Sequence, residues 1–277
     1  MPPDPVRRCT SCSGVLPAES NDAICDACIV ASAFAVAPPT STIFGDYELL
    51  GEGMKGGMGV VHRALQPSLD RTVALKFVMA GATATLSGRL RFQIEAQALA
   101  RLDHPNIVEV YETGVRDGQH FISMEWMEGG DLRQLLKDNG RPLPSRRAAE
   151  ITRTIARAVD HAHQHGVLHR DLTPRNILFD AKGEPHVGDF GLAKMLNVES
   201  ELTRTGVGMG APGFASPEQA IGREVAITSD VYGLGALLFF TLTGRPPFVA
   251  KSLEEYAEKV ARAAAPTPIR LNPELLT

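Results

Sequence analysis

The sequence predicts an α+β protein with two lobes, a small one built on an antiparallel sheet and a larger one that is mainly helical, after a small cysteine module. Three observations indicate this fold class. Strand-like patterns are concentrated between residues 44 and 124, long helical patterns follow residue 130, and all four cysteines lie between residues 9 and 28. Strands and helices that are segregated along a chain favour separate sheet and helix layers over alternating β–α units.

Composition excludes several classes of protein. The 277 residues suffice for two lobes with cores of their own. A net charge of −4 argues against a protein that coats nucleic acid or an anionic membrane. The apolar runs fall short of the roughly 18 residues of a membrane span, and the first residues lack the apolar region of a signal peptide. These features predict a cytoplasmic protein without a membrane span.

The cysteines of residues 1–30 have the spacing of a structural zinc ribbon. Cys9-x-x-Cys12 and Cys25-x-x-Cys28 can place four thiolates tetrahedrally around one Zn²⁺. Thirty residues bury too little apolar surface to fold alone, so the metal would supply most of the folding free energy. Disulfides are the alternative, but they suit an oxidising compartment. Two basic and four acidic residues make the module net negative, which favours a structural or protein-docking role over nucleic-acid binding.

The remaining elements follow in order along the chain. Residues 31–43 carry no charge and contain two adjacent prolines, which is typical of a linker. Short strand-like runs with turns between them predict five strands, and helical periodicity predicts one helix: Tyr47–Leu50, Val60–Ala64, Thr72–Met79, helix Gly88–Arg101, Ile107–Thr113 and His120–Met124. Two long helices follow, Ser145–His165 and Ser229–Leu242, and Gly244 closes the second.

The strongest chemical signal is HRDLTPRNILF at residues 169–179, followed by DFG at 189–191. Further motifs stand in order around it: Ala74-Leu75-Lys76, Glu95, His104-Pro105-Asn106 and Ser216-Pro217-Glu218. From about Phe44 onward the chain resembles eukaryotic-type serine/threonine protein kinases, and the stretches GGMGVV and ASPEQA are most similar to bacterial members. The resemblance implies a kinase domain with a small lobe at about 44–124, a hinge at about 125–130 and a large lobe at about 131–277.

The resemblance implies ATP-dependent phosphotransfer, in which positioning and charge neutralisation dominate. Lys76 would hold the α- and β-phosphates, and Glu95 would hold Lys76 by an ion pair. Asp189 and Asn176 would ligate Mg²⁺ or Mn²⁺, and Asp171 would orient the acceptor hydroxyl and accept its proton. The implied partners are ATP and a protein that offers a serine or threonine, and self-association would allow autophosphorylation.

The segment FISMEWMEGGDL resembles the strand and hinge that bind adenine. Met124 would be the gatekeeper, the backbones of Glu125 and Met127 would bond the adenine edge, and Asp131 would meet the ribose. Three apolar side chains would sandwich the base, and three others would stack into the internal apolar spine of an active kinase. The first set is Val61, Ala74 and Leu178, and the second is Leu99, His169 and Phe190.

The stretch GEGMKGGMGVV, residues 51–61, fits a phosphate loop in more than one register. Gly51-x-Gly53-x-x-Gly56 matches G-x-G-x-x-G as written, but such a match alone is weak. The alternative registers use the later glycines of the same stretch, so the choice depends on the motifs that follow.

The spacing to the strand lysine selects the later register. The resemblance implies a spacing of 17 between the last loop glycine and that lysine, as from Gly59 to Lys76. The phosphate loop would then run from Met54 through Gly56 to Gly59, and the two earlier glycines would lie in the preceding strand. Met54 stands where related kinases carry the first loop glycine, so weaker ATP binding is expected.

The chain departs from the family pattern at three places. Thr173 replaces a lysine that usually lies two residues after the catalytic aspartate, and Ala211 replaces a threonine of the same network. The chain stops at Thr277, before the last helices of the large lobe, so Glu218 would lack its usual arginine partner. These departures leave a second interpretation open, a truncated or pseudokinase-like module that binds nucleotide or protein with weak or no phosphotransfer.

The segment after DFG contains two candidate regulatory phosphosites. Thr203 and Thr205 lie where related bacterial kinases carry activating phosphates. A phosphate there, with Thr205 favoured, would pair with Arg170 beside the catalytic aspartate.

The stretch HAHQH, residues 161–165, invites a metal interpretation. Residues two apart on a helix point about 200° away from each other, so only His161 and His165 could share a face. A solvated helix end is therefore the expectation.

Overall fold

The computed structural model describes residues 42–56, 59–78, 98–190, 212–250, 252–262 and 265–276. The strands in these ranges are β1 Ile43–Phe44, β2 Tyr47–Leu49, β3 Met54–Gly56, β4 Gly59–Gln66, β5 Arg71–Val78, β6 Val110–Arg116, β7 Gln119–Glu125, β8 Ile177–Phe179 and β9 Pro185–Val187. The α-helices are α1 Leu132–Asn139, α2 Ser145–Gln164, α3 Pro217–Ala220, α4 Ile227–Thr243, α5 Leu253–Arg262 and α6 Pro268–Leu271. Short 3-10 helices cover Pro67–Leu69, Pro212–Phe214 and Pro273–Leu276.

The first seven strands form one antiparallel sheet. Its order is β1-β2-β4-β5-β7-β6, and β3 pairs with β4 as a hairpin. β4 and β5 pair over their full lengths, with Gly59 opposite Val78 at one end. β5 also pairs with β7, where Ala74 lies opposite Met124. β5 is therefore the central strand of the small lobe.

The sheet is curled, so that β1 at one edge contacts β5 and β7, with which it does not pair. The Phe44 ring contacts Phe77 on β5 and Phe121 on β7 edge to face, with ring centroids 4.9 and 5.3 Å apart. Gly45 lies against the Arg116 guanidinium of β6, where a Cβ would come within 2.3 Å of it. The curl encloses the small-lobe core, which consists of Phe44, Tyr47, Leu49, Ala64, Val73, Leu75, Phe77 and Phe121.

The two faces of β5 separate this core from the cleft between the lobes. Successive side chains of a strand point to opposite faces. Leu75 and Phe77 belong to the small-lobe core, whereas Ala74 and Val78 belong to a second apolar cluster. By the same alternation, Lys76 lies on the face of Ala74 and so faces the cleft.

The large lobe is organised around α2 and α4. The apolar stripe predicted for the long helix α2 is buried throughout, at Ile151, Ile155, Val159 and Ala162. α4 is strongly apolar and packs against α2 in one shared core. It ends as predicted at Gly244, whose left-handed φ of 75° lets its N–H bond the Phe240 carbonyl. Among the helices that the structure describes, none combines the length and apolar composition of a transmembrane span.

Backbone bonds between distant segments bring the lobes together at the cleft. The N–H of Gly129 bonds the Phe179 carbonyl at 2.8 Å, and the N–H of Phe179 bonds the Gly130 carbonyl at 2.9 Å. On the other side, the N–H of Val108 bonds the Val187 carbonyl at 2.9 Å. The chain between β7 and α1 and the chain before β6 therefore both rest on the β8–β9 hairpin.

Two of the predicted elements differ in extent or position from what the structure describes. The helix predicted over Gly88–Arg101 lies mostly outside the described residues, which show helical backbone at residues 98 and 99. The placement of Gly51 and Gly53 in a strand was wrong, since both lie in the bend between β2 and β3. The φ of 79° at Gly51 belongs to the left-handed region, which is incompatible with strand backbone.

Candidate active site

The HRD stretch lies between α2 and β8, where a buried carboxylate holds its backbone. Asp230 on α4 is 2% exposed and accepts the N–H groups of His169 and Arg170, both at 2.8 Å. The same carboxylate bonds Nε2 of His163 at 2.7 Å. Buried charge is tolerated when it is hydrogen-bonded in this way. Asp230 thus anchors the two residues that precede Asp171.

Asp171 is bonded on its other side by Asn176. The Asn176 Nδ2 group donates to the Asp171 carbonyl at 2.7 Å and to its carboxylate Oδ2 at 3.1 Å. The backbone N–H of Asn176 bonds the Thr173 carbonyl at 3.0 Å, which closes the turn. The catalytic carboxylate proposed from the sequence is therefore oriented by the residue proposed to ligate metal.

Lys76 and Asp189 meet across the cleft. The Lys76 Nζ lies 2.7 Å from Asp189 Oδ1, although the two residues are 113 positions apart. The lysine is 7% exposed, so its charge needs a partner. Glu95, the partner predicted from the sequence, lies outside the described residues.

Two residues of the site have left-handed backbone without being glycine. Arg170 has a φ of 65° and Asp189 a φ of 51°. Such conformations cost about 1–3 kcal/mol each and persist where surrounding contacts define them. Arg170 immediately precedes Asp171, and Asp189 is itself one of the proposed acids. The strained backbone therefore lies where the direction of the carboxylates matters.

His169 has a structural role in this arrangement. Its Nε2 lies 3.0 Å from the Gly188 carbonyl, its Nδ1 accepts the N–H of Asp171 at 3.2 Å, and its ring lies 4.7 Å from that of Phe190. Complete burial lowers the pKa of His169, so the imidazole is neutral at pH 7. Leu99 and Phe190, the other two residues predicted for the apolar spine, both belong to the buried core of the large lobe.

The oxygen donors proposed for Mg²⁺ lie on adjacent backbone. Asn176 precedes β8, Asp189 follows β9, and the N–H of Gly188 bonds the Asn176 carbonyl at 2.8 Å. A carboxylate and an amide oxygen suit Mg²⁺, which prefers oxygen ligands and keeps several waters. The donor chemistry of these two residues therefore fits the ion. In the described part of the chain, no three His, Cys, Asp or Glu side chains are grouped so that they could hold a metal ion.

Five of the residues proposed to line the adenine site form one apolar cluster. Ala74, Met124 and Met127 are buried members, with Val61 and Leu178 packed against them. The register explains the grouping, because Met124 lies opposite Ala74 on the neighbouring strand. The structure brings all five together from β4, β5, β7, the following segment and β8.

The backbone next to this cluster narrows the adenine prediction. The N–H of Glu125 bonds the Glu109 carbonyl at 2.9 Å, so that donor is already used. Asp131 caps α1, where its carboxylate accepts the N–H of Gln134 at 2.7 Å. The backbone carbonyl of Glu125 is thus the group that would bond the adenine edge.

The glycine-rich stretch forms the β3–β4 hairpin. Gly56 lies opposite Gly59, so these two glycines form the last pair of the hairpin that the structure describes. Gly59 has a φ of 151°, and a Cβ there would lie 1.9 Å from the Phe77 carbonyl. Only glycine fits this position.

Gly53 has a packing role away from the hairpin tip. A Cβ at Gly53 would lie 2.3 Å from Val60 and 2.4 Å from the ring of His62. The bend that contains Gly53 therefore packs closely on β4. This contact explains the early glycine without any phosphate.

Glu218 has a partner other than the arginine that the family resemblance implies. The Ser229 hydroxyl donates a short hydrogen bond to Glu218 Oε1, and this bond lowers the pKa of the carboxyl. Ser229 occupies the first turn of α4, close in space to α3. The prediction considered only a basic partner, whereas a neutral donor serves here.

The HAHQH stretch is not simply a solvated helix end. His161 and His165 share a face, with ring centroids 4.4 Å apart. His163 points the other way and bonds the buried Asp230, so the expectation of solvation was wrong for it. An acidic residue within the apolar helix α4 was the available signal, since such a charge must find buried partners.

Several predicted positions lie outside the described residues. They are the zinc candidates Cys9, Cys12, Cys25 and Cys28, the ion-pair partner Glu95, the phosphosites Thr203 and Thr205, and Ala211.

A protein-family model for the protein kinase domain matches residues 44–274. The chain is 40% identical over 235 residues to the probable serine/threonine-protein kinase PknB of Lactococcus lactis, and 40% identical over 233 residues to the serine/threonine-protein kinase PrkC of Bacillus subtilis. Each alignment covers 84% of this chain, but the chain spans only 37% and 36% of these relatives.

A solved structure extends the similarity to three dimensions. The crystal structure of the PknI kinase domain of Mycobacterium tuberculosis superposes with a TM-score of 0.67 at 28% sequence identity. The superposition covers 86% of this chain and 87% of that one, so it includes both lobes.

Proposed function

The chain belongs to the protein kinase family, and we propose that it transfers the γ-phosphate of ATP to serine or threonine hydroxyls of proteins. The observation that carries the proposal is a pair of side-chain contacts, one between distant residues and one within the loop at 169–176. Lys76 meets Asp189 at 2.7 Å, and Asn176 orients Asp171 at 3.1 Å. A protein that only bound a partner would have no chemical use for all four, which disfavours the pseudokinase-like interpretation.

Each of these residues has a proposed task. Lys76 would exchange part of its contact with Asp189 for the α- and β-phosphates, since a buried ammonium favours anionic ligands. Asp171 would accept a hydrogen bond from the acceptor hydroxyl and take its proton as the phosphate transfers. Mg²⁺ bound by Asp189 and Asn176 would neutralise charge on the phosphates. Glu95 is proposed to support Lys76.

The nucleotide is proposed to lie in the cleft between the lobes. Its base would contact the apolar cluster of Val61, Ala74, Met124, Met127 and Leu178, with the Glu125 carbonyl and the Met127 backbone at its polar edge. Asp131 would face the ribose. The hairpin from Met54 to Gly59 would cover the phosphates, because glycine at its tip lets backbone approach them closely.

The decisive experiment compares two aspartate variants. Asp171→Asn removes the proposed base but keeps the size of the side chain, and it should lower transfer from Mg-ATP to myelin basic protein by about 10²–10⁴-fold. Asp160→Asn is the matched control, since Asp160 is exposed on α2 and bonds only Gln164 among the hydrogen bonds seen. Transfer by the unaltered chain that is no faster than by the Asp171 variant would overturn the proposal.

Autophosphorylation is proposed as the regulatory input, through self-association of two copies. Thr205, and secondarily Thr203, would carry the phosphate, which would pair with the Arg170 guanidinium. Mass spectrometry after incubation with Mg-ATP should find phosphate on Thr205. Its absence there, with transfer to other proteins intact, would refute this assignment.

The N-terminal residues are proposed to form a separate zinc module. Cys9, Cys12, Cys25 and Cys28 would bind one structural Zn²⁺, residues 31–43 would link the module to the kinase domain, and a protein would be its partner. Elemental analysis of protein purified without added metal should give one zinc per chain, and none after Cys9→Ser with Cys12→Ser. A cytoplasmic location is proposed with it, since thiolates persist under reducing conditions.

A further inference from the structure

The peptide groups around Asp171 are bonded from several sides. Asp230 accepts the N–H of His169 and that of Arg170. The N–H of Asp171 bonds the His169 ring, and the carbonyl of Asp171 accepts from Asn176. These partners all come from the catalytic stretch itself or from α4.

The Arg170 carbonyl has a partner from elsewhere. Nε2 of Gln219 donates to it at 2.6 Å, across a separation of 49 residues along the chain. Gln219 lies on α3, within the stretch ASPEQA, and has no part in the phosphotransfer steps proposed above. Gln219 therefore links α3 to the catalytic loop, and the proposed phosphotransfer does not by itself require that contact.

The position of the Gln219 side chain is well defined. Its Oε1 accepts the N–H of Ser216 at 3.0 Å, and its own N–H lies 3.4 Å from the Ser216 hydroxyl. Ser216 is fully buried and caps α3. Since one end of the amide is used by Ser216 and the other by Arg170, the amide has a single orientation that satisfies both.

The bond acts on the peptide that carries Asp171. The Arg170 carbonyl and the Asp171 N–H belong to the same planar group. Arg170 has a φ of 65°, a conformation that residues with a side chain rarely adopt. Asp230 fixes the N–H side of Arg170 and Gln219 fixes its carbonyl side, so together they define the plane from which the Asp171 side chain projects.

We propose that Gln219 is a positioning residue for Asp171, through the Arg170 carbonyl. It fixes the plane of the peptide from which the Asp171 side chain projects, through a bond that is separate from the Ser216 hydroxyl cap of α3. The inference rests on the proposed function, because it assigns to Asp171 the role of base.

The test separates the two bonds of the Gln219 amide. Gln219→Glu keeps the acceptor for the Ser216 N–H and removes the donor for the Arg170 carbonyl. Small misplacements of a catalytic group cost up to about 10²-fold in rate, so kcat toward myelin basic protein should fall about tenfold or more. The KM for ATP should stay within about twofold of its unaltered value, since the nucleotide contacts are untouched.

Two control variants exclude a purely structural role. Ser216→Ala weakens the cap of α3 but keeps the bond from Gln219 to Arg170, so it should lower the melting temperature and leave kcat nearly unchanged. Gln164→Glu makes the same chemical change on the exposed face of α2, next to Asp160, and should alter neither kcat nor KM. Gln219→Met, which bonds neither partner, should match Gln219→Glu in kcat.

The outcomes distinguish this inference from the function on which it rests. No transfer by the unaltered chain overturns both. Transfer by the unaltered chain, with Gln219→Glu at the same kcat, overturns the inference alone. An equal loss of kcat in Ser216→Ala and Gln219→Glu also overturns it, because stability of α3 would then explain the effect.

Discussion

The catalytic loop at residues 169–176 and the β3–β4 hairpin face the same proposed phosphates, yet they are held in opposite ways. The loop is bonded through nearly every backbone group near Asp171, with the buried Asp230 as its main acceptor. The hairpin is held by strand pairing, and its shape depends on the absence of a side chain at Gly59. A catalytic group needs a defined direction, whereas a phosphate cover needs room for backbone.

The largest effect is expected at the anchor of the loop. Asp230→Ala would leave three donors, from His163, His169 and Arg170, without their acceptor. Loss of one partner in a buried charged network costs about 3–5 kcal/mol. Urea unfolding should show this loss, and Asp160→Ala on the exposed face of α2 should change stability by less than about 0.5 kcal/mol. A loss below about 1 kcal/mol at Asp230 would mean that the loop keeps its shape without it.

A smaller effect is expected in the hairpin, and it should appear in ATP binding. Gly59→Ala places a Cβ 1.9 Å from the Phe77 carbonyl, so β4 must shift. The strain is about 1–3 kcal/mol, and titration calorimetry should show weaker Mg-ATP binding.

Gly51→Ala is the matched control for the hairpin. Gly51 has a φ of 79° with nothing within 4 Å of its would-be Cβ, and it lies before the hairpin. It should lose about 1 kcal/mol of stability from the backbone alone and keep the ATP dissociation constant. Equal weakening by both variants would contradict the later glycine register.

Each region also contains a buried histidine, and the one near the hairpin can be tested by pH. Burial lowers the pKa of His62, so the folded protein keeps that ring neutral while the unfolded chain takes up a proton below about pH 6.5. The stability from the neutral ring is present above pH 6.5 and is lost as pH falls through the folded pKa.

His62→Leu should therefore make stability less sensitive to acid. Between pH 7.5 and 5.5 the fall in urea midpoint should be shallower, because each tenfold difference in proton affinity between the folded and unfolded chain is worth about 1.4 kcal/mol of stability. His169 and His104 also have pKa values lowered by burial, so part of the acid sensitivity should remain.

The smallest effect is expected at Met54. Its side chain is 55% exposed at the start of β3, opposite Val61. Met54→Gly should free the backbone beside the nucleotide and tighten ATP binding about twofold to threefold, or roughly 0.5 kcal/mol. An unchanged dissociation constant would show that methionine is harmless at this position.

Local patterns were sufficient for much of the fold. The buried stripe of α2 follows from helical periodicity and was predicted residue by residue. The strands predicted around Val60, Thr72 and His120 are confirmed as β4, β5 and β7. The two-lobed kinase fold is likewise confirmed, by the family match and by the solved relative.

Long-range polar contacts were not predictable in the same way. Glu218 was expected to lack its arginine partner, and it is bonded by Ser229. His163 was expected in solvent and instead bonds Asp230. Such contacts depend on how helices far apart in sequence pack. The periodicity of a single helix does not predict which polar group of a distant segment will contact that helix.

The sequence by itself determined the order of the strands and helices along the chain and the residue types of the candidate site, because periodicity and motif spacing are local properties. The spacing from Gly59 to Lys76, set against the family resemblance, also placed Gly56 and Gly59 in the hairpin. Only the tertiary structure decided how Asp171 is aimed. Asp230 and Gln219 reach it across 60 and 49 residues of chain through Arg170, and contacts of that range arise only once the segments of the large lobe have packed together.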